Sequence, residues 1–166
     1  LDLTQHNGVG KLLLSNYNNS QDMLDNLKAI RNEQGMEIIA GDIGGTKSWL
    51  AWVSTAGLSI TQVRFEHVYA SADFASAEDL LKRFMADAHA PTPDAVCLAL
   101  PGPVSHNKPI RLTNLDWTLH KASLQAQLNT PYLLFINDFP AAAEGVASLT
   151  PAEYIELNPQ PQMEDG

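Results

Sequence analysis

Apolar residues gather into short runs in the middle of the chain, and these runs predict strands. Glu37–Ala40 and Trp49–Val53 flank a glycine-rich turn, and a third strand covers roughly Ser59 to Tyr69. Two later runs, Ala95–Leu100 and Tyr132–Ile136, are apolar almost throughout, which is typical of buried strands. The pattern therefore predicts five strands.

Apolar residues at helical spacing lie between and after these strands. Ser76 is a candidate cap for a helix whose buried face carries Leu80, Leu81, Phe84 and Met85. The segment Trp117–Leu128 combines a turn with a second helix, and Ala141–Leu149 predicts a third despite Gly145. The fold class is therefore α/β, with a mixed sheet in which a three-strand antiparallel meander precedes helix-connected parallel strands.

The two ends of the chain differ from this middle part. Residues 1–35 form a polar, Asn-rich extension in which a short amphipathic helix is predicted by the helical spacing of Met23, Leu24, Leu27 and Ile30. Residues 150–166 are rich in proline and acidic residues, a composition typical of a linker or loop. We expect the folded domain to cover residues 36–149.

The turn between the first two strands has the composition of a phosphate-binding hairpin. It reads Gly41-Asp42-Ile43-Gly44-Gly45-Thr46-Lys47. Glycines reach backbone angles closed to other residues and let a bulky anion approach the main chain, whose amides can form an anion-binding concavity. Thr46 adds a hydroxyl donor, and Asp42 is a candidate ligand of a hydrated Mg²⁺. The alternative interpretation is an ordinary hairpin in which Gly-Gly only makes the turn.

A carboxylate and an amide follow the last predicted strand. Asn137 and Asp138 stand at its end, where a rigid core can hold catalytic groups at the rim of a cleft. The carboxylate of Asp138 could accept a proton from a substrate hydroxyl that attacks phosphorus, and the amide of Asn137 suits a vicinal diol. Alternatively, the pair forms only a turn or a helix cap.

The loop Thr113-Asn114-Leu115-Asp116-Trp117 has two interpretations. Polar groups such as Thr113 and Asn114 beside an aromatic ring suit the binding of a sugar ring, whereas a buried tryptophan equally indicates a structural anchor. Asp116 is the weaker candidate for a catalytic base. The sequence of this loop leaves both interpretations open.

Four segments in order resemble the amino-terminal domain of bacterial-type glucokinases, within the actin, sugar-kinase and heat-shock-protein ATPase superfamily. They are GDIGGTK at residues 41–47, LALPGPV at 98–104, LTNLDW at 112–117 and INDFPAAAEGV at 136–146. The resemblance implies a ribonuclease-H-like domain and, for the full-length protein, ATP-dependent phosphorylation of glucose at its 6-hydroxyl. It further implies that Gly41 to Thr46 bind the phosphates of ATP, that Asp138 is the general base and that Asn137 binds the sugar.

The resemblance also sets expectations about what the chain lacks. A second phosphate motif and an adenine pocket belong to the larger carboxy-terminal domain of this family, so we expect the fragment to be nearly inactive by itself and any homodimer to form mainly through that domain. Trp49 departs from the family pattern, in which many members have Arg. A kinase for another hexose or an amino sugar, or a non-catalytic sugar-sensing module, stays an alternative.

Composition narrows the class of protein. The chain has 166 residues, 45% hydrophobic and 17% charged, which is enough for one sizeable core. A formal net charge of -9 without a basic run argues against nucleic acid as a partner. Cys97 lies in an apolar run and is expected to be a buried, reduced thiol. The sequence has no run of about 18 apolar residues, so no membrane span is expected and a cytoplasmic location is predicted.

Overall fold

The structure is a computed structural model that describes residues 35–56, 59–105 and 108–147, together with residues 149, 152 and 155. Within these residues the elements are, in chain order, β1 (Glu37–Ile43), β2 (Lys47–Ala56), β3 (Ser59–Ala70), a 3-10 turn (Ser71–Asp73), α1 (Ala77–Ala88), β4 (Ala95–Leu100), β5 (Ile110–Arg111), β6 (Thr118–Leu119), α2 (Lys121–Leu128), β7 (Tyr132–Asn137) and α3 (Asp138–Ala147). The predicted amino-terminal helix and most of the predicted linker lie outside the described residues.

Five strands form one mixed sheet in the order β3-β2-β1-β4-β7. β1, β2 and β3 are antiparallel neighbours, whereas β4 runs parallel to β1 and β7 runs parallel to β4. This topology confirms the predicted meander followed by helix-connected parallel strands. Because β1, β4 and β7 are parallel, their carboxyl ends share one edge of the sheet, where ligands of open α/β sheets usually bind.

Helices α1 and α2 cover one face of the sheet and build the larger core. Ser76 caps α1 as predicted, since its Oγ accepts a hydrogen bond from the Asp79 N–H at 3.1 Å. The core-facing side chains of the two helices have almost no exposed surface; they are Leu80, Leu81, Phe84, Leu124 and Leu128. Strand residues that alternate with the opposite face, such as Ile39 and Ile43, complete this core.

The opposite face carries smaller side chains. Its buried residues are Ile38, Ala40, Ala51, Val53, Ala95, Cys97, Ala99, Leu134 and Ile136, with Ala141 of α3 packed against them. Burial raises the pKa of the Cys97 thiol to about 12, so the thiol is protonated at neutral pH. The prediction of a buried, reduced cysteine is confirmed.

Three element boundaries differ from the sequence prediction. β1 extends beyond Ala40 and β2 begins before Trp49, so the turn between them contains only residues 44–46. Helix α3 begins at Asp138 rather than Ala141, because Pro140 falls in the first turn, where its missing N–H costs no intrahelical bond. The two-residue strands β5 and β6 form a separate hairpin that was not predicted.

No helix among the described residues is long and apolar enough to cross a bilayer.

Candidate active site

The ends of three parallel strands bring two of the predicted site segments together. Asp42 of β1 pairs with Ala99 of β4, and Leu100 of β4 pairs with Asn137 of β7. Asp138 follows directly as the first residue of α3. The glycine hairpin and the Asn137-Asp138 pair therefore lie at the same edge of the sheet.

Asp42 and Asp138 interact electrostatically across this edge. The pKa of Asp42 is raised above its ordinary value, first because neighbouring protein atoms desolvate the carboxylate and second because Asp138 carries the same charge. Asp138 is half-buried, and its Oδ1 accepts a hydrogen bond from the Phe139 N–H at 3.0 Å. Among the described residues, Asp138 forms no ion pair. Its carboxylate is thus available to a ligand at this edge of the sheet.

Space rather than unusual backbone angles restricts the hairpin glycines, most firmly at Gly44, where an added Cβ would meet the backbone. None of Gly41, Gly44 and Gly45 has a φ in the left-handed region, so the expected use of angles closed to other residues is wrong for this turn. A Cβ on Gly41 would lie 2.5 Å from Leu50 Cδ2, and one on Gly44 would lie 2.6 Å from the Lys47 carbonyl oxygen. The tight turn is closed by the Gly44 N–H, which donates to Lys47 O at 3.0 Å.

Two buried serines, which the sequence did not reveal, support this turn through hydrogen bonds from the core. Ser71 has no exposed surface, and its Oγ donates to Gly44 O at 2.7 Å. The Ser71 N–H donates to Thr46 O at 3.0 Å, and Ser48 Oγ lies 2.8 Å from Ser71 Oγ. The signal that could have revealed them is Ser48, a polar residue on the same core-facing side of β2 as Leu50.

Asn137 uses part of its amide to hold the site together. Its Nδ2 donates to Gly102 O at 2.8 Å, and its Oδ1 accepts from the Phe139 N–H at 3.1 Å. Gly102 has φ +93°, a left-handed conformation that favours glycine. One N–H and one lone pair of the amide remain for a ligand. Asn137 therefore acts as a helix cap, as the alternative interpretation held, and keeps capacity for a further hydrogen bond.

The loop between β5 and β6 lies beside the hairpin. A Cβ on Gly45 would lie 2.5 Å from Asn114 Cβ, so the two segments are in contact. Residues 111–116, which include the exposed Thr113 and Asn114, line an open depression of about 570 Å³.

The same loop is anchored by a buried tryptophan. Trp117 is 4% exposed and donates its indole N–H to Phe74 O at 3.3 Å, which confirms the structural interpretation of this ring. Asp116 is an exposed partner of Arg111, with an N–O distance of 3.1 Å. Its position in an ion pair makes Asp116 a poorer candidate base than Asp138.

The remaining residues of the hairpin, and its neighbour Trp49, are at least partly exposed to solvent. Thr46 and Lys47 are exposed, and Lys47 forms no ion pair within the described residues. Trp49 lies directly opposite Asp42 in the β1–β2 register and is half-buried. Directly opposed residues of antiparallel strands project on the same face with their Cβ atoms about 5 Å apart. Residues 42 and 49 are therefore neighbours on one face of the sheet.

The sequence matches known proteins over this whole region. The glucokinase family model matches residues 39–166. The glucokinase of Nostoc punctiforme is 36% identical over 128 residues, which make up 75% of this chain and 37% of that protein. The glucokinase of Zymomonas mobilis is 34% identical over 114 residues, or 69% of this chain and 35% of that protein. The chain thus spans just over a third of the length of these relatives.

Solved structures agree with the sequence matches. A glucokinase from an Antarctic psychrotroph superposes with a TM-score of 0.63 at 28% identity, covering 72% of this chain and 37% of that one. A glucokinase from Balamuthia mandrillaris, solved in complex with glucose, superposes with a TM-score of 0.51 at 24% identity, covering 78% of this chain and 38% of that one, and so supports the fold. The mixed sheet is that of the actin-like ATPase fold. The chain belongs to the glucokinase family.

Proposed function

We propose that this chain is the amino-terminal part of an enzyme that transfers the terminal phosphoryl group of ATP to the 6-hydroxyl of glucose. The observation that carries the proposal is the position of the glycine hairpin and Asp138 at one edge of the sheet, close enough for their carboxylates to interact. Phosphoryl transfer depends on placing the nucleophile and the phosphate in line, which these two segments are suited to do.

Asp138 is the proposed general base. A half-buried carboxylate with no ion pair among the described residues has oxygens available for the proton of a sugar hydroxyl. The Phe139 N–H donates to one oxygen, and the other would accept the proton of the sugar hydroxyl. The proton of the 6-hydroxyl would pass to this oxygen as the hydroxyl attacks phosphorus.

The sugar would be held by Asn137 and by the loop that contains Thr113 and Asn114. Asn137 keeps one N–H and one lone pair after its contacts with Gly102 and Phe139. Thr113 and Asn114 are exposed polar groups in an open depression that adjoins Gly45. These positions would place the sugar between the catalytic carboxylate and the phosphate-binding turn.

The turn from Gly41 to Thr46, with Lys47 beside it, is the proposed site for the phosphates of ATP. Mg²⁺ would neutralise charge on these phosphates, and Asp42 would hold it through a water molecule. A hydrated Mg²⁺ takes one or two carboxylates together with waters and phosphate oxygens, so a single carboxylate at Asp42 would suit it. A divalent cation near Asp42 would also relieve the charge repulsion from Asp138.

The exposed face of α3 supports the proposal that further polypeptide completes the enzyme. Phe139 is 82% exposed and Val146 is 66% exposed, and Ala142 and Ala143 between them are exposed on the same side of the helix. Apolar patches of this kind mark interaction surfaces. We assign this face to the remaining two thirds of the length found in the relatives. Residues 150–166 would lead towards that domain, through which any homodimer would mainly form.

A product assay tests the proposed activity. The full-length protein is incubated with Mg-ATP and either glucose, mannose or N-acetylglucosamine, and the products are identified by ³¹P NMR. We expect glucose 6-phosphate, with the other sugars phosphorylated at least about tenfold more slowly, since a site built around substrate hydroxyls rejects sugars that misplace them. Faster turnover of another sugar would assign the protein to a related kinase, and sugar binding without a product would assign it to a sensing module.

Two further assignments follow from the proposed reaction. A glucose kinase that uses ATP belongs at the start of glycolysis, and the cytoplasm is where both substrates meet. The buried, protonated thiol of Cys97 is compatible with this reducing compartment. Fractionation of cells that express the protein tests the location.

A further inference from the structure

Ser71 occupies a position from which it can control the shape of the glycine turn. It is the first residue after β3, it begins the 3-10 turn, and its side chain has no exposed surface. A buried hydroxyl must have hydrogen-bond partners, and both groups of Ser71 find theirs in the hairpin. The Oγ donates to Gly44 O at 2.7 Å and the N–H donates to Thr46 O at 3.0 Å.

The proton on Ser71 Oγ determines the direction of the hydrogen bond from Ser48. A serine hydroxyl has a single proton, and that of Ser71 is directed to Gly44 O. Ser48 must then donate to Ser71 Oγ across the 2.8 Å that separates the two oxygens. The result is a chain from Ser48 through Ser71 to the Gly44 carbonyl, in which each hydrogen bond polarises the next.

Holding a carbonyl fixes the amide on the other side of the same peptide group. The described peptide bonds are all trans, so the Gly45 N–H points away from the direction of Gly44 O. The Lys47 N–H is oriented in the same way by the bond to Thr46 O. Among the described residues, the Gly45 N–H has no hydrogen-bond acceptor. It is directed away from Ser71 and is available to an anion.

We infer that Ser71, supported by Ser48, is a positioning residue of the phosphate-binding turn: it draws the carbonyls of Gly44 and Thr46 to the inside so that the Gly45 and Lys47 amides are presented to phosphate oxygens. This inference rests on the proposed function, because it assumes that phosphate occupies the turn. Without the Ser71 hydroxyl, the Gly44–Gly45 peptide can rotate, and a rotated peptide would turn a carbonyl oxygen towards the phosphate.

The test compares Ser71→Ala with Ser76→Ala. Both variants remove one serine hydroxyl that bonds to the backbone, but the hydrogen bond of the Ser76 hydroxyl is to the Asp79 N–H, where it caps α1. In the full-length enzyme, with each substrate varied while the other is saturating, Ser71→Ala is expected to raise the KM for ATP about tenfold with less than a twofold change in the KM for glucose. Ser76→Ala should leave both constants near the wild-type values. Ser48→Ala should give a smaller rise, about threefold, in the KM for ATP.

A second measurement determines the orientation of the peptide groups independently of enzyme activity. Residual dipolar couplings of the Gly45 and Lys47 N–H groups are measured in the 166-residue chain, as wild type and as the same three variants. The coupling of Gly45 is expected to change in Ser71→Ala and to stay unchanged in Ser76→Ala. If Ser71→Ala does not fold, Ser48→Ala, which keeps the Ser71 hydroxyl and removes its donor, carries the same comparison.

The outcomes separate this inference from the proposed function. An unchanged Gly45 coupling in Ser71→Ala overturns the orienting role, and so does an equal rise of the KM values for ATP and glucose, which would indicate a general loss of structure. If the wild-type enzyme does not phosphorylate glucose, the proposed function fails. In that case the couplings still decide whether Ser71 orients the turn.

Discussion

Asp42 and Asp138 belong to different elements, yet the negative charge of Asp138 raises the pKa of Asp42. Parallel pairing of β1 with β4 and of β4 with β7 brings the two carboxylates to one edge of the sheet. Two carboxylates that repel each other at the mouth of a crevice are common where a cation or a charged substrate completes the site.

Removing the charge of Asp138 is expected to lower the pKa of Asp42. In Asp138→Asn the repulsion disappears, while desolvation, which is the larger cause, remains and keeps the pKa above the ordinary value. Titration of the Asp42 carboxyl carbon by ¹³C NMR measures the change. The control is Asp79→Asn, which removes an exposed carboxylate in the first turn of α1. An Asp42 pKa that is the same in Asp138→Asn and wild type would mean that the two carboxylates are too far apart for the charge of Asp138 to affect Asp42.

Replacing Asp42 itself is expected to stabilise the fold at neutral pH. A raised pKa means that the folded state favours the protonated carboxyl, so this group stabilises the fold below pH 3.8 and the contribution is lost as the pH rises through the raised pKa. The side chain in the Asp42→Asn variant cannot ionise, so this variant does not lose stability as the pH rises. Urea unfolding should therefore give a larger free energy of unfolding for Asp42→Asn than for wild type at neutral pH, with little difference in strong acid. A stability loss at neutral pH would contradict the assigned cause.

Trp49→Arg is expected to lower the pKa of Asp42. Residue 49 stands opposite Asp42, so a guanidinium there would replace an apolar neighbour with an opposite charge. Trp49→Leu serves as the matched control, because it removes the indole without adding charge. The ¹³C titration of Asp42 should show a larger downward change for Trp49→Arg than for Trp49→Leu. Equal changes would mean that residue 49 affects Asp42 through bulk alone.

The two turn glycines are expected to respond differently to alanine. A Cβ at position 44 meets the Lys47 carbonyl oxygen, which belongs to the backbone and cannot move aside, so Gly44→Ala should cost about 1–3 kcal/mol of unfolding free energy. A Cβ at position 45 meets the Asn114 side chain, so the cost of Gly45→Ala should fall when it is combined with Asn114→Gly. Urea unfolding of the double-mutant cycle should give a coupling of about 0.5–3 kcal/mol. Strict additivity would show that the hairpin and the β5–β6 loop are not in contact.

The sequence predicts the elements that have a long hydrophobic pattern. It fails for elements that depend on contacts between distant parts of the chain. Continuous apolar runs such as Tyr132–Ile136 and the periodic face of α1 define a strand and a helix by themselves, and the topology followed. The strands β5 and β6 have two residues each, too few for a period to appear. The loop between them is anchored by Trp117, whose indole N–H donates to Phe74 O, 43 residues earlier in the chain.

In the candidate site, too, the residue types could be recognised from the sequence, whereas the contacts between distant residues could not. The residue types of the Gly41–Lys47 hairpin and of Asn137-Asp138 marked both segments as candidates, but only the strand order brings them to one edge. The role of Ser71 was not readable, because it follows from a hydrogen bond to Gly44, 27 residues earlier in the chain. The need for glycine at position 45 likewise depends on Asn114, a neighbour from another part of the fold.

The most direct test of the central claim, that Asp138 is the base of a glucose kinase, is the kcat of the full-length Asp138→Asn enzyme with glucose and Mg-ATP. Loss of a positioned general base should lower kcat by about 10²–10⁴-fold, with the melting temperature and the KM for ATP close to the wild-type values. Asp79→Asn should retain the wild-type rate. A kcat for Asp138→Asn equal to that of the wild type would contradict the account.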